Sequence, residues 1–213
     1  MQPDCNLVLY QLNPKKPIMN SNTQGKGTNC VLKLDTDDNL VIRNEWLNIM
    51  WQSGTARTIG SYVLLLQRNG KVVIYGTPIW NSGTKFTAAA VLITLSHFVT
   101  GGAALNHLLS GDTLNTGQSI SEGRRSLVMQ PDCNLVLYQL NPKKPIWYTQ
   151  TNGKGTNCVA KLETDGSLVV RDQRLNIVWT SGTGKRIGNY VLLLQWDGNM
   201  VIYGEPIWSR PGT

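Results

Sequence analysis

Three stretches of the chain repeat one pattern of side chains, Q-x-D-x-N-x-V-x-Y. Its members are Gln2, Asp4, Asn6, Val8 and Tyr10; Gln130, Asp132, Asn134, Val136 and Tyr138; and Gln195, Asp197, Asn199, Val201 and Tyr203. Alternate residues of a strand point to the same face, so the spacing predicts that each set shares one strand face. Asp accepts hydrogen bonds, whereas Asn and Gln both donate and accept them. Such a row suits the adjacent hydroxyls and the small C–H patch of a sugar edge.

Three other stretches keep this spacing but lose some of the residue types. They are Asp35, Asp37, Asn39, Val41 and Arg43; Glu163, Asp165, Ser167, Val169 and Arg171; and Gln67, Asn69, Lys71, Val73 and Tyr75. We expect these degraded sets to bind sugar weakly or not at all. The alternative for every set is a row of solvated polar residues on an outward sheet face. We favour that alternative only for the degraded sets.

The sets belong to an internal repeat of the chain. Residues 1–18 recur without change at 129–146, an offset of 128, so the chain is two homologous copies. We place the domains at 1–84 and 103–213, joined by an apolar linker at 85–102. The second copy has an additional N-terminal stretch, Leu105 to Val128, with no counterpart before Met1. The first copy therefore begins within a domain, or its missing N-terminal strands come from elsewhere.

A finer repeat lies within each copy. In the second copy QPDCNLVLY, ETDGSLVVR and QWDGNMVIY begin at 130, 163 and 195. Each alternates as a half-buried strand does, and each is followed by a strand that ends in Trp147, Trp179 or Trp208. The fold class predicted is all-β, with three small antiparallel sheets around a pseudo-threefold axis where these Trp residues meet. Met19, Trp51 and Trp80 are the equivalents in the first copy.

Composition excludes several classes of protein. The 213 residues carry a formal charge of +7, with only 15% charged residues and 21 glycines, which argues against a coiled coil or acidic disorder. No apolar run reaches the roughly 20 residues that a membrane span needs, so we expect no membrane insertion. Residues 86–111 contain no charged side chain. We favour a linker that either packs on a neighbouring domain or is cleaved. The alternative is part of a leader sequence retained after a tandem gene fusion.

Four cysteines allow three pairings, and the repeat favours one bridge in each copy. These bridges are Cys5–Cys30 and Cys133–Cys158, each joining residues 25 apart. The alternative is free buried thiols in a cytosolic protein. Disulfides place the protein in the secretory pathway, secreted or vacuolar. The cysteines form no CxxC or Cys/His cluster, so we predict neither a metal nor another cofactor.

At these residues the chain resembles the monocot mannose-binding lectins, the snowdrop (Galanthus) bulb-lectin family with the β-prism II fold. The resemblance covers nearly everything except about 85–102, including the cysteines, the Trp positions and the terminal VIYG-x-x-x-W. It implies two tandem β-prism II domains, the first without its N-terminal strands. Asp and Asn would hold the axial 2-hydroxyl of mannose, Gln the 3-hydroxyl and Tyr the 4-hydroxyl, with Val against the ring carbons.

The resemblance also implies partners and a role. The partners would be mannose and high-mannose N-glycans on glycoproteins, which the protein would cross-link as an agglutinin in plant defence. Exchange of the C-terminal strand would build a homodimer or a larger oligomer. The alternative within the same fold is a storage or taste-modifying relative that has lost sugar binding.

Two other classes of function are weaker. Binding of nucleic acid or an anionic surface is suggested by the charge and by four basic pairs, but basic charge alone is not a mechanism. The pairs lie in predicted turns without an aromatic platform, so we expect solvated loops and no nucleic-acid partner; they are Lys15–Lys16, Arg124–Arg125, Lys143–Lys144 and Lys185–Arg186. His97 and His107 accompany no nucleophile, and GTGKRIG at 182 lacks phosphate-loop spacing, so we predict no enzyme.

Overall fold

A computed structural model describes residues 1–12, 14–67, 70–83, 92–94 and 105–210. Within these ranges every regular element is a β-strand, numbered β1 to β21 along the chain. The all-β class is thereby confirmed. A search of the same residues for an apolar helix of membrane-spanning length finds none.

The described residues form two compact units. Unit 1 holds the described residues of 1–77, 92–94 and 206–210, and unit 2 holds 78–83 and 105–205. The last strand of each sequence copy therefore belongs to the unit of the other copy. The domain boundaries at 84 and 103 stay a prediction, but the units differ from the copies by this exchange of one strand each.

Unit 2 consists of three four-stranded antiparallel sheets, each named here by the first residue of its set. The Gln130 sheet is β12 (Ser119–Glu122), β13 (Arg125–Met129), β14 (Leu135–Leu140) and β15 (Lys143–Tyr148). The Glu163 sheet is β11 (Thr113–Leu114), β16 (Val159–Leu162), β17 (Leu168–Arg171) and β18 (Ile177–Thr180). The Gln195 sheet is β10 (His107–Leu109), β19 (Val191–Leu194), β20 (Met200–Tyr203) and β8 (Pro78–Asn81).

The core of unit 2 lies where the inward faces of its three sheets meet. Alternation along β14 sends Leu135 and Leu137, both fully buried, to this core. At its centre the rings of Trp80, Trp147 and Trp179 pack edge to face, with centroids 5.8 to 6.5 Å apart. Edge-to-face contact suits the aromatic quadrupole, so the trio adds to the stabilisation from buried apolar area.

The prediction that Trp208 completes this trio was wrong. Trp80 takes the position, because β8 pairs with β20 with Trp80 opposite Ile202. By sequence Trp80 belongs to the first copy, with Met19 and Trp51. Its strand, β8, nevertheless lies in unit 2. The side chain of Trp208 lies outside the described residues, although its strand, β21 (Pro206–Arg210), pairs with β7 (Val72–Tyr75) in unit 1.

Unit 1 has fewer strands in two of its three sheets, as far as the described residues show. The Gln2 sheet is β1 (Val8–Leu12) and β2 (Lys15–Asn20), and the Asp35 sheet is β3 (Val31–Leu34), β4 (Leu40–Arg43) and β5 (Ile49–Gln52). The Gln67 sheet is β21, β7, β6 (Val63–Leu66) and β9 (Leu92–Thr94), with β9 parallel to β6. β9 is the described part of the predicted 85–102 linker.

Among the described residues, identical side chains of the two copies differ in burial. Met129 is fully buried in unit 2, whereas its counterpart Met1 is 45% exposed in unit 1. Likewise Leu135 is fully buried and Leu7 is only half-buried. The same sequence therefore buries less apolar area in the Gln2 sheet than in the Gln130 sheet.

Both predicted disulfides are confirmed. Cys5 bonds Cys30 and Cys133 bonds Cys158, with sulfur atoms 2.03 and 2.02 Å apart. Each bridge ties the turn before the first strand of a set to the start of the next sheet. In a loop-entropy model a bridge between residues this far apart adds about 3 kcal/mol to the stability.

Candidate carbohydrate site

The Gln130 set lies on a turn and the strand that follows it. The sequence predicts five side chains on one strand, but β14 begins only at Leu135, and residues 130–134 form the tight turn from β13. Asp132 Oδ1 accepts the backbone N–H of Asn134 at 3.0 Å, which fixes the turn. A short polar side chain that bonds its own backbone two residues on favours a turn over an extended strand. Only Val136 and Tyr138 of this set belong to the strand.

The turn nevertheless brings the ends of the set together. Gln130 Nε2 donates to the Tyr138 hydroxyl at 2.8 Å, and Gln2 donates to Tyr10 at 2.9 Å in the Gln2 sheet. This bond uses one amide proton of Gln130 and one oxygen lone pair of Tyr138. The tyrosine proton and the amide oxygen stay available, so the pair can both donate to and accept from a sugar hydroxyl.

The asparagine of each exposed set is oriented by residues that the sequence analysis missed. Asn134 Oδ1 accepts from Thr149 Oγ1 at 3.0 Å and from the backbone N–H of Thr151 at 3.3 Å. Because its oxygen is held, Asn134 presents its amide N–H groups beside Asp132. Acceptor and donor thus stand together, which is the pairing that one hydroxyl needs.

The same arrangement recurs in the Gln2 sheet, where Asn6 Oδ1 accepts from Ser21 Oγ at 3.0 Å. Its Thr23 donates to the carbonyl of Cys5, as Thr151 does to that of Cys133. A signal for these residues exists in the sequence. A Ser or Thr followed two residues later by Thr occurs after five of the six Trp or Met strands, as in T149-Q-T151 and S21-N-T23, and is absent after Trp208.

The Gln195 set has the same glutamine–tyrosine bond but is buried. Gln195 donates to Tyr203 at 2.8 Å, while Gln195 is 6%, Asn199 4%, Val201 0% and Tyr203 1% exposed. Only Asp197 is exposed. Burial raises the pKa of Tyr203 to about 12, against a smaller lowering by Gln195. A sugar can therefore reach little of this set in the folded structure.

In two degraded sets an acid–arginine pair replaces the glutamine–tyrosine pair. Arg43 Nη2 donates to Asp35 at 2.8 Å, and Arg171 Nη2 lies 3.2 Å from Glu163. Burial alone would raise the pKa of Glu163, but hydrogen bonds from Lys161 and Arg171 outweigh it and hold that pKa below its usual range. These charged groups are bound to each other, so they offer a sugar fewer free donors and acceptors.

The Glu163 set is also covered by its neighbouring loop. A Cβ added to Gly184 would lie 2.6 Å from Asp165 Oδ2 and 2.7 Å from Ser167 Oγ. The loop backbone thus occupies the space in front of the two side chains. In the Gln67 set, Gln67 donates to Tyr75 at 2.8 Å, burial raises the pKa of Tyr75 to about 12, and Asn69 lies outside the described residues.

The chemistry of the exposed sets is that of binding. Among the described residues no group of three or more His, Cys, Asp or Glu side chains is arranged to hold a metal ion. His107 is 3% exposed and lies 3.1 Å from Asn106 Oδ1, and His97 lies outside the described residues. The Gln130 and Gln2 sets offer several hydrogen-bonding groups on a sheet face, around a valine that is half-buried at Val8 and 3% exposed at Val136.

Three small sheets around a Trp trio, with amide–carboxylate–tyrosine rows on the sheet faces, define a carbohydrate-binding β-prism. The chain is 35% identical over 98% of its length to mannose-specific lectin 2 of Colocasia esculenta, of which it covers 76%. It is 35% identical over 98% of its length to mannose-specific lectin 3 of Crocus vernus, covering 88%. No family model matches the sequence.

Among solved structures, the two-domain, fetuin-binding agglutinin of Scilla campanulata matches with a TM-score of 0.81. The identity is 38%, over 99% of this chain and 86% of that one. The chain therefore belongs to the family of monocot mannose-specific lectins, in the tandem two-domain β-prism II form. The family resemblance and the fold predicted from the sequence are confirmed.

Proposed function

We propose that this protein is a lectin that binds terminal mannose and the mannose arms of high-mannose glycans through the Gln2 and Gln130 sets. The observation that carries the proposal is the geometry of the Gln130 set. An exposed carboxylate, a half-buried, oriented amide and a half-buried glutamine–tyrosine pair lie around Val136, which is itself 3% exposed. Relatives named for mannose specificity support the choice of sugar.

The proposed contacts follow from the groups that are available. Asp132 accepts from the axial 2-hydroxyl and Asn134 donates to it. Gln130 serves the 3-hydroxyl and Tyr138 the 4-hydroxyl, while Val136 packs on the ring carbons. Glucose has an equatorial 2-hydroxyl, so its binding leaves Asp132 and Asn134 without that partner and is disfavoured.

The Gln195 set stays a sequence prediction, and its burial argues against sugar binding there. Two shallow sites in one chain bind weakly one at a time. Avidity then comes from several mannose arms on one glycoprotein, which supports a role in cross-linking and agglutination in plant defence. Further copies in a homodimer or larger oligomer would raise that avidity. Within the single chain β21 pairs with β7, and exchange of the C-terminal strand stays the proposed way to build such an oligomer.

We also propose that the protein is not an enzyme and that it is secreted or vacuolar. The exposed sets contain no nucleophile beside a base, which supports a binding role. The two disulfides support the secretory pathway, since such bridges persist in oxidising compartments.

The test is binding of the full chain to an array of glycans, with methyl α-mannoside as competitor. We expect mannoside-inhibitable binding to high-mannose glycans, and its loss in the double variant Asp4→Ala/Asp132→Ala. Asp165→Ala is the matched control, because Asp165 accepts the same turn hydrogen bond, from Ser167 at 2.8 Å, in a degraded set. A wild-type chain that binds no mannose glycan would overturn the proposal in favour of a sugar-inactive storage protein.

A further inference from the structure

Two basic side chains flank the tyrosine end of the Gln130 set. The strand register places Tyr138 opposite Ser126 and Pro145, and two residues further on Leu140 is opposite Lys143. Leu140 also donates its backbone N–H to the carbonyl of Arg124 at 2.9 Å. Residues opposite each other in antiparallel strands share a face, as do residues two apart. Arg124, Leu140 and Lys143 therefore form the next row on the face that carries Tyr138.

Both cations are exposed, and Lys143 lies close to the site. Lys143 Nζ is 4.9 Å from the centre of the Tyr138 ring. Neighbouring strands are roughly 4.8 Å apart, so the backbones of Arg124 and Lys143 are separated by about 10 Å, with Leu140 between them. Among the described residues neither cation has an ion-pair partner. The nearest acid along β12, Glu122, pairs in register with Arg125 and accepts from Asn106 at 2.7 Å.

The sequence presents these cations as two basic pairs, and the structure separates the members of each pair. Arg125 and Lys144 both stand opposite Gln139, which puts them on the other face from Tyr138. Arg125 packs against Gly198, whose added Cβ would lie 2.7 Å from Arg125 Nε. Only Arg124 and Lys143 are thus directed to the site face.

We propose that Arg124 and Lys143 form a subsite for an anionic group carried by the bound mannose, with a phosphate ester as the ligand class. The inference rests on the proposed mannose site. With Tyr138 at the 4-hydroxyl, the cations stand beyond that edge of the ring, where the neighbouring carbon 5 carries the 6-hydroxymethyl group. A phosphate on carbon 6 then meets two positive charges that have no carboxylate partner. The guanidinium is suited to two-point contact with phosphate oxygens, and the ammonium adds a point charge.

The Gln2 set provides an internal comparison. Lys15 Nζ lies 5.0 Å from the centre of the Tyr10 ring, as Lys143 does at Tyr138. Among the described residues, however, β1 pairs only with β2, so this site has no residue in the position of Arg124. We expect the preference for an anionic mannose to be weaker there.

The experiment compares methyl α-mannoside with its 6-phosphate by calorimetry, in the full chain carrying Asp4→Ala so that the Gln130 set is measured alone. At low salt we expect the phosphate ester to bind about three to ten times more tightly, the range for two exposed charge contacts. The preference should fall as salt rises, because exposed charges are screened within about 10 Å at 0.1 M.

Variants then assign the preference to the two cations. Arg124→Gln/Lys143→Gln should bring the affinity ratio close to one. Lys144→Gln removes the same charge as Lys143→Gln from the opposite face, and it should keep the ratio. The 6-phosphate of methyl α-glucoside should bind much more weakly than that of the mannoside, since the 2-hydroxyl is misplaced.

Each other outcome counts against a defined part of the proposal. Equal affinity of the parent chain for the mannoside and its phosphate overturns the subsite and leaves the mannose site standing. A preference that survives the double variant, or is lost in Lys144→Gln, overturns its assignment to Arg124 and Lys143. Equal binding of the glucoside phosphate shows attraction by charge alone. Failure of both mannosides to bind overturns the mannose site itself.

Discussion

The Gln130 and Gln195 sets of unit 2 have identical functional residue types and the same glutamine–tyrosine bond of 2.8 Å, yet they differ in exposure. Tyr138 is half-buried beside the exposed Lys143, whereas Tyr203 is 1% exposed. Asn199 also turns its amide to Asp197 Oδ2 at 3.4 Å. One motif therefore serves as a candidate binding face in the first set and as part of a buried polar network in the second.

The difference teaches that the internal hydrogen bonds of a set have a structural role of their own. They are present whether or not a sugar can reach the set. In the buried set, Gln195 and Tyr203 satisfy each other, which removes the cost of burying a polar group without a partner. In the exposed set the same bond orients groups whose remaining donors and acceptors face water.

The largest expected effect is a difference in mannoside binding between variants of the Gln130 set and of the Gln195 set. Asp132→Ala should lower the affinity of the Gln130 set about ten- to a hundredfold, the usual weight of a hydrogen bond to a charged group. Asp197→Ala should change mannoside binding little, although Asp197 accepts the same type of turn bond, from Asn199 at 2.9 Å. Calorimetric stoichiometry checks this, with two mannosides per wild-type chain, one for Asp132→Ala and two for Asp197→Ala. Loss of a site in Asp197→Ala would mean that the buried face opens.

The second prediction concerns stability, for which the buried Gln195 set is expected to show the larger effect. Tyr203→Phe leaves the buried Gln195 amide without its partner, so it should lower the free energy of unfolding by about 1–3 kcal/mol. Tyr138→Phe removes the same hydroxyl from a partly solvated face and should cost less than about 0.5 kcal/mol, while weakening mannoside binding. Urea unfolding followed by Trp fluorescence measures both. Equal destabilisation by the two variants would contradict the distinction.

The sequence predicted the small sheets and the disulfides because the repeat reveals both, but it placed Asp132 and Asn134 on a strand where a side chain–backbone bond forms a turn. It predicted that the C-terminal strand exchanges, but not that β8 joins unit 2. The strands β8 and β21 both contain Pro-Ile-Trp and pair in the same register, Trp80 opposite Ile202 and Trp208 opposite Ile74. Either strand fits either sheet, so the choice depends on the path of the whole chain. The burial of Tyr203 was missed for a related reason, because exposure depends on tertiary neighbours and not on the motif.

The third prediction tests burial through alkaline titration. Burial raises the pKa of both Tyr75 and Tyr203 to about 12, above the ordinary value of 10 that holds in the unfolded chain. The folded state thus keeps its proton more strongly, and the resulting stabilisation is complete below pH 10 and is lost as the pH rises to about 12. Phenolate absorbance should show one tyrosine fewer ionising near pH 12 in Tyr203→Phe than in the wild type. Ionisation of all tyrosines in a single early step, in protein still folded by circular dichroism, would contradict the burial.

The smallest effect extends the comparison to the Glu163 set, where Arg171 takes the place of Tyr203. Arg171→Gln breaks a pair whose side chains are 28% and 21% exposed, so the cost should be only about 0–1 kcal/mol. Lys161 still holds Glu163 at 2.9 Å, which limits the loss further. Because the pKa of Glu163 is lowered on folding, the stabilisation exists above the ordinary value of 4.5 and is lost as the pH falls through the folded value.

The measurement for this set is the urea midpoint of wild type and Arg171→Gln at neutral pH and at pH values below 4.5. The two proteins should differ slightly at neutral pH and converge in acid, where Glu163 is protonated in both. Arg43→Gln, which breaks the matching pair with Asp35 in unit 1, should behave alike. A difference that persists unchanged in acid would show that the arginine stabilises through packing of its side chain instead of through charge. That outcome would mean that the first and ninth residues of these two sets, Glu163 with Arg171 and Asp35 with Arg43, stabilise the fold by packing and not by their charges.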